Sequence, residues 1–169
     1  MGPAAAVRKG ATAGVVDERY NGLMRVYLDM CCLKRPFDDQ AQPRIRLESE
    51  AVLALLGATP QRAQFLRAPA LDLENEQNPL PVRAGRVRQW LEALPALPLV
   101  DVDLIKRTEE LMALGFKNFD ALHLSSAELG GAEVFVSCDD RLLAAAGRHA
   151  AVLRIRVVNP VVLAKEILV

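Results

Sequence analysis

Short apolar segments alternate along the chain with longer segments that carry apolar residues at helical spacing. The two clearest strand candidates are residues 24–28 (MRVYL) and 133–137 (EVFVS), and 155–158 is a third. Weaker candidates lie at 64–67 and 97–100. Strands of this kind, separated by helices, predict an α/β fold with a central, mainly parallel sheet flanked by helices.

The helical segments are bounded by glycine and proline. Helices are predicted over 44–56, 70–77, 82–94, 102–114 and 119–129, with a short helix after residue 140 and a last helix after Pro160. Gly57, Pro95, Gly115 and the Gly130-Gly131 pair end four of them, and Asn118 is predicted to cap the helix that follows it. Residues 30–43 are predicted to form a loop.

One domain is expected from 169 residues, of which 51% are hydrophobic and 25% charged. We assign this domain to residues 24–169. Residues 1–23 are rich in alanine and glycine without periodicity, which predicts a loose N-terminal extension or translation that starts at Met24.

The charge balance gives no sign of a strongly basic nucleic-acid binder, because 21 basic residues match 21 acidic ones. Acidic residues concentrated in a site would cancel basic residues elsewhere in the net charge of the chain. Seven arginines in the middle of the chain are candidate phosphate contacts, with solvated helix faces as the alternative: Arg44, Arg46, Arg62, Arg67, Arg83, Arg86 and Arg88.

The three cysteines, Cys31, Cys32 and Cys138, show no spaced CxxC pattern, so neither a disulfide framework nor a zinc site is predicted. We expect reduced thiols in the core. No apolar segment reaches membrane-spanning length and no signal pattern opens the chain, so we expect a cytoplasmic protein without membrane contact.

Acidic residues follow two of the predicted strands. Asp29 comes directly after the first, and Asp139 comes soon after 133–137. Ligands of parallel sheets bind at the carboxyl edge, where these two acids are expected to converge. Asp120 lies in the first turn of a helix, where a favourable interaction with the helix dipole is an alternative to a functional role.

Four segments together resemble the PIN-domain nucleases, and among them a toxin-like, VapC-type branch. They are VYLDMCCLKRPFDD, LDLENEQNP, NFDALHLSSAE and VFVSCDDRLL. The resemblance covers residues 24 to about 168. It implies a metal-dependent RNA endonuclease, which is either the toxin of a toxin–antitoxin pair, with an antitoxin protein as partner, or a free-standing processing nuclease. A homodimer is a further expectation.

The resemblance makes Asp29, Glu74, Asp120 and Asp139 the catalytic residues and the ligands of Mg²⁺ or Mn²⁺. Glu74 is chosen by the NEQNP segment that follows it, and four other acids compete for its place: Glu48, Glu50, Asp72 and Glu76. Clustered carboxylates repel one another, and a hard divalent cation with oxygen ligands removes that repulsion. The family's hydrolytic route makes no use of the 2′ hydroxyl of RNA.

Residues near the proposed ligands carry further expectations. Ser137 stands where the family often has a hydroxyl that orients water at the metal, and Met30 replaces the usual small hydroxyl residue. His123 lies one turn after Asp120, and we favour a structural histidine over a role in proton transfer. Trp90 is expected in the core or at a dimer contact.

Two other functions remain open at this point. One is a catalytically silent PIN-like module that binds RNA or a protein. The other is a phosphatase of the haloacid dehalogenase type, which would need a second Asp two positions after Asp29, where this chain has Cys31.

Overall fold

The sheet contains four parallel strands in the computed structural model, which describes residues 22–58, 62–97 and 101–169. The strands are β1 (Met24–Leu28), β2 (Ala63–Phe65), β3 (Val134–Val136) and β4 (Arg156–Val158), in the order β2-β1-β3-β4. Every pair is parallel. The predicted α/β architecture with a mainly parallel sheet is therefore confirmed.

Helices flank this sheet. In chain order they are α1 (Met30–Lys34), α2 (Pro43–Ala58), α3 (Pro69–Glu76), α4 (Pro81–Glu92), α5 (Val102–Ala113), α6 (Asn118–Leu129), α7 (Asp140–Arg148) and α8 (Pro160–Leu168), with a 3₁₀ turn at Arg35–Phe37. Four of the helices begin at a proline, whose fixed φ suits the first turn and whose missing N–H has no helical partner there. Among these elements α5 packs on α6, α2 on α8, and α3 on both α4 and α6.

Three local predictions were wrong. Gly57 does not end α2, which continues through it to Ala58. The segment 30–43 contains α1 and the 3₁₀ turn as well as a loop, because the Asp29 side chain accepts a hydrogen bond from the amide of Met30 and so caps α1. Asn118 is the first residue of α6, and Lys117 occupies the capping position without a side-chain hydrogen bond.

The predicted glycine helix ends are confirmed for α5 and α6. Gly115 and Gly131 follow these helices at φ values of 100° and 75°, in the left-handed region that glycine adopts without strain. The proposed strand at 97–100 falls mostly outside the described residues, although Ala96 forms an isolated parallel bridge with Arg67. Most of the proposed N-terminal extension, residues 1–21, also lies outside them.

The two central strands form the middle of the core. Tyr27 on β1 and Phe135 on β3 are fully buried and stack with their ring centroids 5.3 Å apart. A buried ion pair ties α5 to α6, because Arg107 binds both carboxylate oxygens of Glu128 and also donates to the carbonyl of Val152. Among the described helices, none has the length and apolar character that crossing a membrane requires.

Candidate metal centre

The carboxyl ends of β1 and β3 lie side by side and place two of the predicted acids at one edge of the sheet. Leu28 pairs with Val136, and the amide of Asp29 donates to the carbonyl of Val136 at 2.9 Å. Ser137 continues the link, since its hydroxyl donates to Asp29 Oδ2 at 2.8 Å and accepts from the amide of Asp139 at 3.1 Å. One serine thus fixes both acids.

Asp29 is a buried carboxylate, only 5% exposed, that is held by several donors. Its Oδ1 accepts from the Met30 amide at 2.8 Å, and its Oδ2 accepts from the Cys31 thiol at 3.2 Å in addition to Ser137. Burial raises the pKa of Asp29 well above its ordinary value, and the charge of His123 opposes that rise. Although Met30 lacks the side-chain hydroxyl expected at its position, Asp29 receives hydrogen bonds from a backbone amide, a thiol and the Ser137 hydroxyl.

Glu74 reaches the same place from α3. A ligand atom from each of Asp29, Glu74 and His123 lies within 4.8 Å of the other two. Nε2 of His123 donates to Glu74 Oε2 at 2.5 Å, and Nδ1 is hydrogen-bonded to the Tyr27 hydroxyl at 2.7 Å. His123 thereby orients Glu74, and Tyr27 orients His123.

The charge state of His123 is set by this acidic surrounding. Burial alone would lower the pKa of His123, but the hydrogen bond that the ring donates to Glu74 and the charges of Asp29 and Asp120 outweigh it and raise the pKa. Tyr27 remains a neutral phenol, because burial and the charges of Asp29 and Glu74 raise its pKa well above the ordinary value. This geometry fits the expectation of a hydrogen-bonded structural histidine. Because the acid that His123 contacts is Glu74, the position of the histidine also affects the candidate metal centre.

Asp120 lies in the first turn of α6 as predicted, half-buried beside the other acids. Burial raises its pKa, and repulsion from Asp139 and Glu74 adds to that rise. Its carboxylate has no hydrogen bond or ion pair with any residue in the described part of the chain. By contrast, Asp139 caps α7 through Oδ1, which accepts from the amides of Arg141 and Leu142.

The other acids that competed with Glu74 are directed elsewhere. Glu48 is buried but bound by Arg35, Arg44 and Asn159. Asp72 forms a bidentate pair with Arg67. The remaining two, Glu50 and Glu76, are exposed. Among these candidates, Glu74 is the acid that meets Asp29.

Two lysines beside the acids were not singled out by the sequence. Nζ of Lys34 lies 4.0 Å from Glu74 Oε1, and the charge of Lys117 lowers the pKa of Asp120. Lys117 directly precedes α6 and the NFDAL segment that carries Asp120. That neighbouring segment was the local signal in the sequence from which the position of Lys117 could have been predicted. Lys34 reaches the site because α1 turns back from the strand end toward α3.

The seven central arginines are partly engaged within the protein. Arg44 binds Asp140 through two nitrogens, Arg67 binds Asp72, Arg62 donates to the carbonyl of Ile167, and Arg83 donates to Asn78. The other three are Arg46, Arg86 and Arg88, and all are exposed. Trp90 is half-buried with its ring centroid 5.8 Å from that of Phe37, as expected of a residue at the edge of the core.

The arrangement concentrates negative charge at the sheet edge, with His123 as the buried group that partly offsets it. Of the four predicted acids, Asp29 and Glu74 share one group of ligand atoms with His123, whereas Asp120 and Asp139 lie outside that group and are related to it through the charges that act on Asp120. Carboxylate oxygens are the donors that hard divalent cations prefer. The adjoining lysines supply positive charge at the border of the same site, which suits an anionic ligand such as a phosphodiester.

Comparison with protein-family models and with curated proteins finds no match to this sequence. Solved structures do match. The structure of VapBC2 from Rickettsia felis, bound to a DNA fragment from its promoter, aligns with a TM-score of 0.50 at 11% identity, over 80% of this chain and 98% of that one. The structure of FitAcB from Neisseria gonorrhoeae aligns with a TM-score of 0.47 at 14% identity, over 80% and 97%. The VapBC2 likeness is one of fold, and over most of its length this chain has the fold of that structure.

Proposed function

We propose that the protein is a ribonuclease dependent on Mg²⁺ or Mn²⁺, with Asp29, Glu74, Asp120 and Asp139 as its metal ligands. The observation that carries the proposal is the position of Asp120. A half-buried carboxylate that has no hydrogen bond or ion pair among the described residues, and whose pKa is raised by burial and by neighbouring acids, would be stabilised by a bound cation.

The donor set fits such a cation. Asp29 and Glu74 already lie within reach of a common point, and oxygen donors favour Mg²⁺ or Mn²⁺ over softer metals. When bound, the ion would polarise a phosphate and lower the pKa of water. The chain's own residues have supporting tasks: Ser137 and Cys31 fix Asp29, His123 fixes Glu74, and Lys34 adds positive charge beside it.

We also propose that the protein acts as a toxin with an antitoxin partner. Support comes from the VapC-type sequence resemblance and from the fold shared with VapBC2, a protein solved on a DNA fragment from its promoter. Co-expression with the protein encoded directly upstream tests this: the toxin assignment expects growth arrest by the nuclease alone and rescue by the neighbour.

The decisive experiment compares Asp139→Asn with Asp140→Asn in an RNA cleavage assay. Asn caps a helix about as well as Asp, so the first variant keeps the cap of α7 and loses only charge. Asp140 is the adjacent acid, is 67% exposed and pairs with Arg44, so it provides a matched control. We expect at least a hundredfold loss of cleavage for the first variant and little change for the second.

Metal removal and product ends complete the test. Cleavage should stop in EDTA and return with Mg²⁺ or Mn²⁺, leaving a 5′ phosphate and a 3′ hydroxyl because the 2′ hydroxyl is not the attacking group. A 2′,3′-cyclic phosphate, or full cleavage in EDTA, would contradict the assignment. Metal binding without any cleavage would indicate the silent PIN-like module instead.

A further inference from the structure

The three cysteines of the chain meet behind Asp29, although they are far apart in sequence. Cys31 and Cys32 lie in α1, Cys138 follows β3, and their three sulfur atoms all lie within 4.8 Å of one another. They are all the cysteines that the chain contains. We call them the thiol cluster.

We propose that the thiol cluster is a second metal site, one for a thiophilic divalent cation such as Zn²⁺. The proposal does not rest on the nuclease assignment, because it uses none of the four proposed carboxylate ligands as a required donor. It revises the expectation, drawn from the lack of a CxxC pattern, that these thiols are only core.

The spacing of the sulfur atoms is the first support. Zinc binds thiolates at about 2.3 Å with tetrahedral angles, which places two sulfurs on one ion roughly 3.8 Å apart. Cys32 Sγ and Cys138 Sγ are 3.7 Å apart, whereas a disulfide would need about 2.05 Å. The third sulfur, that of Cys31, lies within 4.8 Å of both.

The surroundings of the cluster provide the rest of a coordination sphere. The amide of Cys138 donates to Cys31 Sγ at 3.2 Å, and an amide donor of this kind stabilises a thiolate ligand. Asp29 Oδ2 and the Ser137 hydroxyl lie 3.2 Å and 3.3 Å from the same sulfur. When an ion binds, Cys31 loses the proton that it donates to Asp29, and the ion supplies positive charge in the place of that proton. A water or one of these oxygens can complete four ligands.

Access and burial also fit a bound ion. Cys32 and Cys138 are buried at 0% and 3% exposure, so solvent does not compete for the ion on that side. Cys31 is less buried and provides the side from which an ion enters. Three soft sulfur donors select Zn²⁺ over the Mg²⁺ or Mn²⁺ proposed for the carboxylates.

Cobalt titration of the reduced full-length protein tests the proposal. We expect one equivalent of Co²⁺ to produce a sulfur-to-cobalt charge-transfer band, Zn²⁺ to abolish it, and all three thiols to lose reactivity toward a thiol reagent. Cys32→Ser should lose the band. Glu74→Gln is the matched control: it removes a proposed carboxylate ligand and should keep the band, so failure of the nuclease assignment and failure of the thiol site are distinguishable.

The wild-type measurement decides the question even if a cysteine variant does not fold. Absence of the charge-transfer band, or full thiol reactivity in the presence of Co²⁺ or Zn²⁺, would overturn the proposal and leave the cluster as core packing. A disulfide that forms in air with chelator present, in protein that shows no band when reduced, would equally overturn it in favour of a redox pair.

Discussion

Removing one oxygen atom from Tyr27 tests whether Glu74 is held through His123. Tyr27→Phe keeps the ring stacked on Phe135 and deletes only the hydroxyl that is hydrogen-bonded to His123 at 2.7 Å. Both partners are buried, so no water replaces the lost bond. We expect a loss of stability together with weaker metal binding.

The size of the effect follows from the contact that is lost. A buried hydrogen bond to a charged or ionisable ring contributes about 2 kcal/mol, and the unpaired Nδ1 of His123 retains its desolvation cost. In a domain of this length that corresponds to a fall of roughly 4–8 °C in melting temperature. Groups that orient a metal ligand typically change metal affinity 10–100-fold, and Tyr27 acts one residue further back, so we expect about a three- to tenfold rise in the Mn²⁺ dissociation constant.

Thermal unfolding and calorimetric Mn²⁺ titration measure the two effects separately. Ser126→Ala is the control. Like Tyr27, Ser126 has a buried hydroxyl, but it lies on α6 and donates to the carbonyl of Leu122 within its own helix. It should change neither the Mn²⁺ affinity nor the melting temperature appreciably. The reasoning is refuted if Tyr27→Phe destabilises the fold and leaves Mn²⁺ affinity unchanged, since Tyr27 would then be a core residue only.

Three further predictions concern charge. Asp120→Asn should raise the metal-free melting temperature by roughly 1–3 °C, through relief of burial and repulsion, and weaken stabilisation by Mg²⁺; a variant that is less stable yet responds fully to Mg²⁺ would make Asp120 a structural residue. Because the pKa of Asp29 is raised in the folded protein, its protonated form contributes to stability, and this contribution is complete below about pH 4. The contribution is lost as the pH rises from about 4 through the folded pKa, so the urea midpoint of the metal-free protein should fall over that pH range. Arg107→Ala should cost about 3–5 kcal/mol by leaving Glu128 buried without its partner, and a urea titration that shows less than about 1 kcal/mol would contradict this.

The sequence predicted the position of those candidate site residues that lie at the end of a single helix or strand. Asp29 and Asp139 were placed by the strand-end rule, and Asp120 by the first turn of its helix. Each of these positions depends on local periodicity and on where an element stops. The boundaries of β1, α5 and α6 were predictable for the same reason, since glycine ends both helices and an acid ends the strand.

The surroundings of Glu74 could not be predicted in this way. Its partner His123 is 49 residues away, and the contact exists because α3 packs on α6. Nothing in the local sequence of either helix encodes that packing. The same limit explains the wrong loop over 30–43, where α1 depends on the Asp29 side chain as its cap and not on any apolar period of its own.

The thiol cluster shows why a search for spaced motifs misses sites on a parallel sheet. A CxxC pattern detects ligands that share one turn of chain. Here Cys32 and Cys138 are 106 residues apart and meet because β1 and β3 are neighbours whose carboxyl ends coincide. At such an edge each strand contributes one or two residues, so a complete ligand set appears in the sequence as isolated residues after separate strands. Asp29 and Asp139 follow the same rule, and it is the strand order, more than the spacing along the chain, that brings both sets of proposed ligands to one edge of the sheet.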